Sequence, residues 1–94
     1  MEYSSLEFSA HAIQRMFERQ INAEAVISVV RYGEVIAEYM DDQPYPSFLL
    51  LGFVNGNPLH VVGIEQKSKV ARIITVYVPE KGMWSEDYKT REKL

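Results

Sequence analysis

The chain has 94 residues and no cysteine, which excludes disulfide frameworks, thiolate zinc sites and thiol nucleophiles together. Long apolar runs are missing too. The longest, Phe48 to Val54 with Gly52 inside it, is far too short to span a bilayer. The opening Met1-Glu2-Tyr3-Ser4-Ser5 lacks the basic and apolar regions of a secretory signal, so a cytoplasmic protein with no membrane partner is expected. There is no glycine-rich phosphate loop and no nucleophile elbow, because Gly52, Gly56 and Gly63 fall in strand or turn contexts. With only His11 and His60, and no close His-carboxylate spacing, the sequence meets no strong metal template, and neither metal nor cofactor is expected.

Basic residues are absent from a whole stretch of the chain. Residues 34–65 hold Glu34, Glu38, Asp41, Asp42 and Glu65 and no Lys or Arg, a net of −5. From residue 66 onward Lys67, Lys69, Arg72, Lys81, Lys89, Arg91 and Lys93 outnumber Glu80, Glu86, Asp87 and Glu92, a net of +3. The total of −3 argues against a general nucleic-acid binder, and DNA binding by the chain alone is not expected, but the two signs are segregated. A hydrophobic content of 47% is enough for one compact core and too little charge-biased for disorder, so residues 1–94 are expected to form a single domain.

Ser9 is a favoured N-cap for a helix over Ala10–Gln20. At about 100° per residue, Ala12, Ile13, Met16 and Phe17 gather on one side and His11, Gln14, Arg15, Glu18 and Arg19 on the other. Asn22 can cap a second helix, Ala23–Tyr32, with Ala23, Val26, Ile27 and Val30 as its apolar stripe and Gly33 in the left-handed C′ position. Only Ile21 separates the helices, so they must pack as an angled pair.

Beyond Gly33 the period changes to two and predicts four strands: Val35–Tyr39, Phe48–Val54, Leu59–Glu65 and Val70–Val78. Asn55-Gly56 is a strong type I′ hairpin signal, and Gln66-Lys67-Ser68-Lys69 predicts another tight turn, so the last three strands should form an antiparallel meander. Trp84 is expected to dock on the body of the domain, and Ser85 to cap a short helix over Glu86–Lys93. The fold class is therefore α+β: two N-terminal helices on a four-stranded antiparallel sheet, with a short C-terminal helix.

Pairing Glu65 with Val70 would set His60 opposite Thr75 and Pro58 opposite Tyr77, putting His60, Thr75 and Tyr77 on one face. Two polar groupings result: the first-helix face with His11, Arg15, Glu18 and Arg19, and the sheet grouping. The basic tail, with Lys89 and Arg91, could join either. Imidazole beside cations and hydroxyls suits phosphodiester chemistry, where one group takes a proton from a ribose hydroxyl and Arg or Lys stabilises charge building on phosphorus. The same residues also have an ordinary reading: an amphipathic helix carries charges on its wet side, and a lone strand histidine is often a satisfied core residue.

Phe8-Ser9-Ala10-His11-Ala12 with Arg15-Met16 and Glu18-Arg19, Gly33-Glu34-Val35-Ile36, Tyr45-Pro46, Leu50-Leu51-Gly52-Phe53, Pro58-Leu59-His60-Val61-Val62, Ile74-Thr75-Val76-Tyr77, and Trp84 with Asp87-Tyr88-Lys89-Thr90-Arg91 resemble the bacterial family known as domain of unknown function 4258. That family is similar to toxins of the RelE and ParE type. The resemblance implies a RelE-like fold and a metal-independent endoribonuclease, an mRNA interferase, of a toxin–antitoxin system. A cognate antitoxin protein would be its partner, with mRNA or the ribosome as target. Carried onto this chain, His11, Arg15, His60 and Tyr77 would be catalytic and Arg19, Thr75, Lys89 and Arg91 would bind RNA. Two departures stand out, the net charge of −3 in a class of basic toxins and Gln20 where glycine is frequent. A non-catalytic interaction module, or an inactive relative, is the alternative.

Overall fold

The computed structural model describes residues 3–66 and 69–92. Its elements are β1 (Ser5–Phe8), α1 (Ala10–Arg19), α2 (Ala23–Tyr32), β2 (Glu34–Tyr39), β3 (Ser47–Val54), β4 (Asn57–Gln66) and β5 (Val70–Tyr77). The strands form one sheet in the order β1-β5-β4-β3-β2, with β1 parallel to β5 and every other neighbour antiparallel. The sheet is thus five-stranded and mixed, not four-stranded and antiparallel. Four residues of Ser-Leu-Glu-Phe give too short an alternation to announce a strand. What makes β1 one is a partner more than sixty residues away, reinforced by an ion pair of 3.1 Å between Glu7 and Arg72 at paired positions.

Ser9 fixes the start of α1. Its hydroxyl accepts from the Ala12 N–H at 3.0 Å and donates to the Ile74 carbonyl at 3.0 Å, so one side chain both caps the helix and ties it to β5. Asn22 caps α2 by accepting from the Ala25 N–H at 2.8 Å. The stripe that α2 buries is Val26, Val29 and Val30, with Ala23 left exposed. Together with Ala12, Leu50, Leu59, Val61, Ile73 and Val76 these side chains form the core between helices and sheet.

The expected apolar side of α1 is only partly used. Ala12 is fully buried and Met16 packs on the core, but Ile13 is 56% and Phe17 86% exposed. The helix lies over β5 near the margin of the sheet, whereas α2 spans β3 and β4, and a single strand is too narrow to cover a broad apolar arc.

Asn55 and Gly56 adopt φ of 52° and 81°, as the type I′ turn requires. Gly33 is not left-handed; it is extended, at φ −73° and ψ 169°. Glycine is needed there for close approach, since a Cβ would lie 2.4 Å from the Val29 carbonyl oxygen and 2.8 Å from that of Leu51.

Between β4 and β5, His60 pairs with Tyr77 and Val62 with Thr75. Gln66, not Glu65, faces Val70, and a bulge opposite Val62 and Gly63 adds one more residue to β5, at Ile74. Two one-residue shifts restore the parity of the expected register, so His60, Thr75 and Tyr77 do share a face. It is the face opposite the helices. The turn expected at Gln66–Lys69 includes residues 67 and 68, which lie outside the described residues.

The segment after β5 crosses that opposite face without becoming a helix. Ser85 and Asp87 bind nearby backbone instead: the Ser85 hydroxyl accepts from the Thr90 N–H at 3.1 Å, and the Asp87 carboxylate accepts from the Ser85 hydroxyl at 2.5 Å and the Lys89 N–H at 3.1 Å. Such local bonds offer the backbone an alternative to helical ones. Tyr88, at φ 62°, closes the loop, and the Ser85 and Glu92 N–H groups donate to the Thr90 and Met83 carbonyls. The expected helix over Glu86–Lys93 is therefore absent through Glu92, and Lys93 lies outside the described residues. Among the described residues no helix is long and apolar enough to cross a membrane.

A candidate cationic cleft beside a buried histidine

At the end of β5 the chain runs through Val78 and Pro79 into the C-terminal segment. There Trp84 forms backbone bridges with Lys81 and Arg91. The indole sits edge to face with the His60 ring, centroids 4.4 Å apart and planes at 87°, so Trp84 is the anchor that the sequence suggested. Docking this segment brings Arg91 back towards the strand that carries Tyr77. On the other side Arg19, in the last turn of α1, reaches the strand's exposed margin and donates to the Val76 carbonyl at 2.9 Å.

These three stretches enclose a cleft of about 590 Å³ whose lining includes Arg19, Tyr77, Glu80, Met83, Trp84 and Arg91. The volume lies within the range of about 300–1,000 Å³ found for small-ligand pockets. Among the described residues no carboxylate is paired with Arg19 or Arg91, and Glu80 has no salt-bridge partner. Two cations therefore flank the cleft, with the Glu80 carboxylate on the same lining but in no salt bridge. Burial of charge is not required, because both guanidinium groups belong to exposed residues and stay hydrated.

Behind the cleft, His60 is fully buried. Its Nε2 is 2.8 Å from the Tyr88 carbonyl oxygen, which can only accept, so Nε2 carries the proton in the neutral ring. Nδ1 then accepts from the Tyr77 hydroxyl at 3.2 Å. Burial holds the imidazole below its ordinary pKa, against the opposing effect of the Tyr88 carbonyl. Burial likewise pushes the Tyr77 phenol up, with Tyr39 adding to the rise and Arg91 opposing it. The outcome is a neutral histidine accepting a proton bond from a neutral tyrosine, oriented by a backbone carbonyl.

The eight site residues expected from the sequence are divided by this geometry. Arg19, Tyr77 and Arg91 line the cleft, and His60 supports it from beneath. Thr75 shares the His60 face, half-buried beside Val62, and is not part of the lining. Lys89 points elsewhere: it pairs with Glu34 at 3.0 Å beside a second hollow formed by α2 and β3. Arg15 is held by Glu18 at 3.0 Å, and Gln14 donates to the same carboxylate at 3.0 Å. His11 is exposed on α1, which packs on the helix side of the sheet, whereas His60 lies on the other side; neither His11 nor Arg15 lines the cleft. Glu80 and Met83 were not foreseen. Their signal was position, immediately after a strand already singled out for Tyr77.

Among the described residues no group of three or more His, Asp or Glu is placed to hold a metal ion. What fold and cleft define is a small two-layer α+β domain with a cationic, aromatic-walled recess at the end of its last strand. The chain belongs to the family described as domain of unknown function (DUF4258), whose model matches residues 8–78. No curated protein and no solved structure matches it.

Proposed function

We propose that the protein is a toxin-like endoribonuclease of a toxin–antitoxin pair, working in the cytoplasm without metal, and that the cleft at the end of β5 receives the RNA backbone. The observation that carries this reading is the convergence of Arg19 and Arg91, neither with a carboxylate partner among the described residues, on the lining that includes Tyr77. Two helices followed by an antiparallel run of strands supports the likeness to RelE and ParE toxins by analogy of fold alone.

In this reading the arginines hold the phosphodiester and stabilise the charge that develops on its oxygens. The Tyr77 oxygen takes the proton of the ribose 2′-hydroxyl as its own proton passes to His60 Nδ1. The 2′-oxygen bonds to phosphorus, and the departing 5′-oxygen takes a proton from water; the hydroxide so formed takes a proton from Tyr77 as His60 Nδ1 returns its proton to the phenol, which restores both residues. Tyr77 would be the catalytic residue and His60 the positioning residue that receives the proton. The arrangement follows the logic of a reacting group, a base and an orienting acceptor. His11 and Arg15 would have no part in the chemical step.

The test is expression in bacteria with primer extension on cellular mRNA. Growth arrest with new RNA ends, reduced at least a hundredfold by Tyr77→Phe and by Arg91→Ala in proteins that still fold, is expected. Wild-type protein that leaves both growth and RNA unchanged would sink the proposal.

A second reading is favoured by one observation, the exposure of Phe17 and Ile13 on consecutive turns of α1. Apolar groups so placed suit a protein partner. As a non-catalytic interaction module, the chain would co-purify with a neighbour-encoded protein, lose it on Phe17→Ser, and leave RNA intact.

A further inference from the structure

The cleft contains one group that phosphate binding does not need and indeed opposes. Glu80 lines it together with Arg19 and Arg91, yet among the described residues it forms no salt bridge and no side-chain hydrogen bond. It follows Pro79, which is buried, so the backbone that presents Glu80 is set against the body of the domain. An unpaired carboxylate beside two guanidinium groups that have no carboxylate partner among the described residues, with an aromatic wall, is a composite site: cations for a phosphate, rings for a base, and an acceptor pair for something that donates.

From this we infer that Glu80 selects guanine, with the nucleotide's phosphate on Arg19 and Arg91 and its base beside Trp84 and Tyr77. A carboxylate has acceptors only. Guanine presents two adjacent donors on its Watson–Crick edge, N1–H and the N2 amino group, and can meet both oxygens at once. Adenine and cytosine each present one amino donor next to a ring-nitrogen acceptor, which the carboxylate repels. Uracil offers a single N–H between two carbonyls, each of which faces the same repulsion. Bidentate contacts of this kind discriminate between bases by about tenfold or more. The six-ring stack of a purine on an indole or phenol adds affinity without choosing the base.

The inference rests on the reading of the cleft as an RNA site, but its test does not depend on cleavage. Trp84 is the only tryptophan in the chain, so its fluorescence reports occupancy directly. The purified protein is titrated with GMP, AMP, CMP and UMP, and with inorganic phosphate. GMP should bind at least tenfold more tightly than the other three. Glu80→Gln should bring GMP to within threefold of AMP, with AMP itself binding at least as tightly as before because the carboxylate's repulsion is gone, and Arg91→Ala should weaken all four together. Equal affinity for the four nucleotides, a GMP preference that survives Glu80→Gln, or no saturable response to any of them would each overturn the inference. Base-indifferent binding accompanied by RNA cleavage would remove the guanine assignment and keep the ribonuclease reading. GMP selectivity without any cleavage would do the reverse.

Discussion

Replacing His60 by alanine should be among the most damaging single substitutions in the chain. The imidazole is fully buried, bonds the Tyr88 carbonyl and the Tyr77 hydroxyl, and packs on Trp84. Truncating a large buried side chain to alanine costs about 2–5 kcal/mol. Each lost hydrogen bond adds about 1 kcal/mol where its partner stays buried. A loss of about 4–7 kcal/mol is therefore expected, a large share of a typical domain's stability of about 5–15 kcal/mol. Urea unfolding followed by Trp84 fluorescence and far-ultraviolet dichroism would measure it. His60→Phe, which refills the volume and loses only the polar contacts, should lose about 1–3 kcal/mol.

The same residue sets a pH dependence. Burial holds its folded pKa below the unfolded value of 6.5, so the unfolded chain binds the proton more readily. The stability that neutral His60 provides is complete above pH 6.5 and is lost as pH falls towards the folded pKa. Across that window the slope approaches about 1.4 kcal/mol per pH unit. The slope should vanish in His60→Phe. A His60→Ala protein less than about 1 kcal/mol weaker than wild type, or a His60→Phe protein with an unchanged pH profile between 5 and 7, would refute the reasoning.

Gly33→Ala should lower the melting temperature sharply, by the equivalent of more than about 2 kcal/mol, because the new Cβ would meet backbone oxygens of Val29 and Leu51 that cannot move aside. Gly56→Ala, with open space around it but φ at 81°, should cost only about 1 kcal/mol in the same thermal melt. Ser9→Ala removes both the cap and the tether to Ile74, and chemical denaturation should show a loss of about 1–2 kcal/mol. Phe17→Ser, at a side chain 86% exposed, should change unfolding free energy by no more than about 0.5 kcal/mol, so any loss of partner binding would be a surface effect.

Local chemistry made the two helices, their N-caps at Ser9 and Asn22 and the Asn55-Gly56 hairpin legible in advance, because each is decided within a few residues. β1 was not, since Ser5–Phe8 becomes a strand only beside Val70–Ile73. The C-terminal helix was expected from a Ser cap, but Ser85 and Asp87 turned their hydrogen bonds onto the loop. The shared face of His60, Thr75 and Tyr77 emerged from the sequence although the pairing did not, because a displacement of two residues leaves alternation intact. At the site, Arg19, Tyr77 and Arg91 were foreseen as residue types. Which of the charged groups would meet depended on how the tail docks, and that placed Lys89 on Glu34 and Arg91 at the cleft.

The parallel pairing of β1 with β5 joins the first strand of the domain to the last. While the chain is being synthesised, β1 and α1 emerge early but have nothing to lie on until residues 70–77 have left the ribosome, since α1 packs on β5. The part able to organise beforehand is α2 with β2, β3 and β4, and its exposed β4 margin waits for the returning strand. Arg19 reaches the Val76 carbonyl only when that strand is in place. A ribosome stalled shortly before codon 70 would therefore hold a nascent chain with β1 and α1 unfolded and its recess unbuilt.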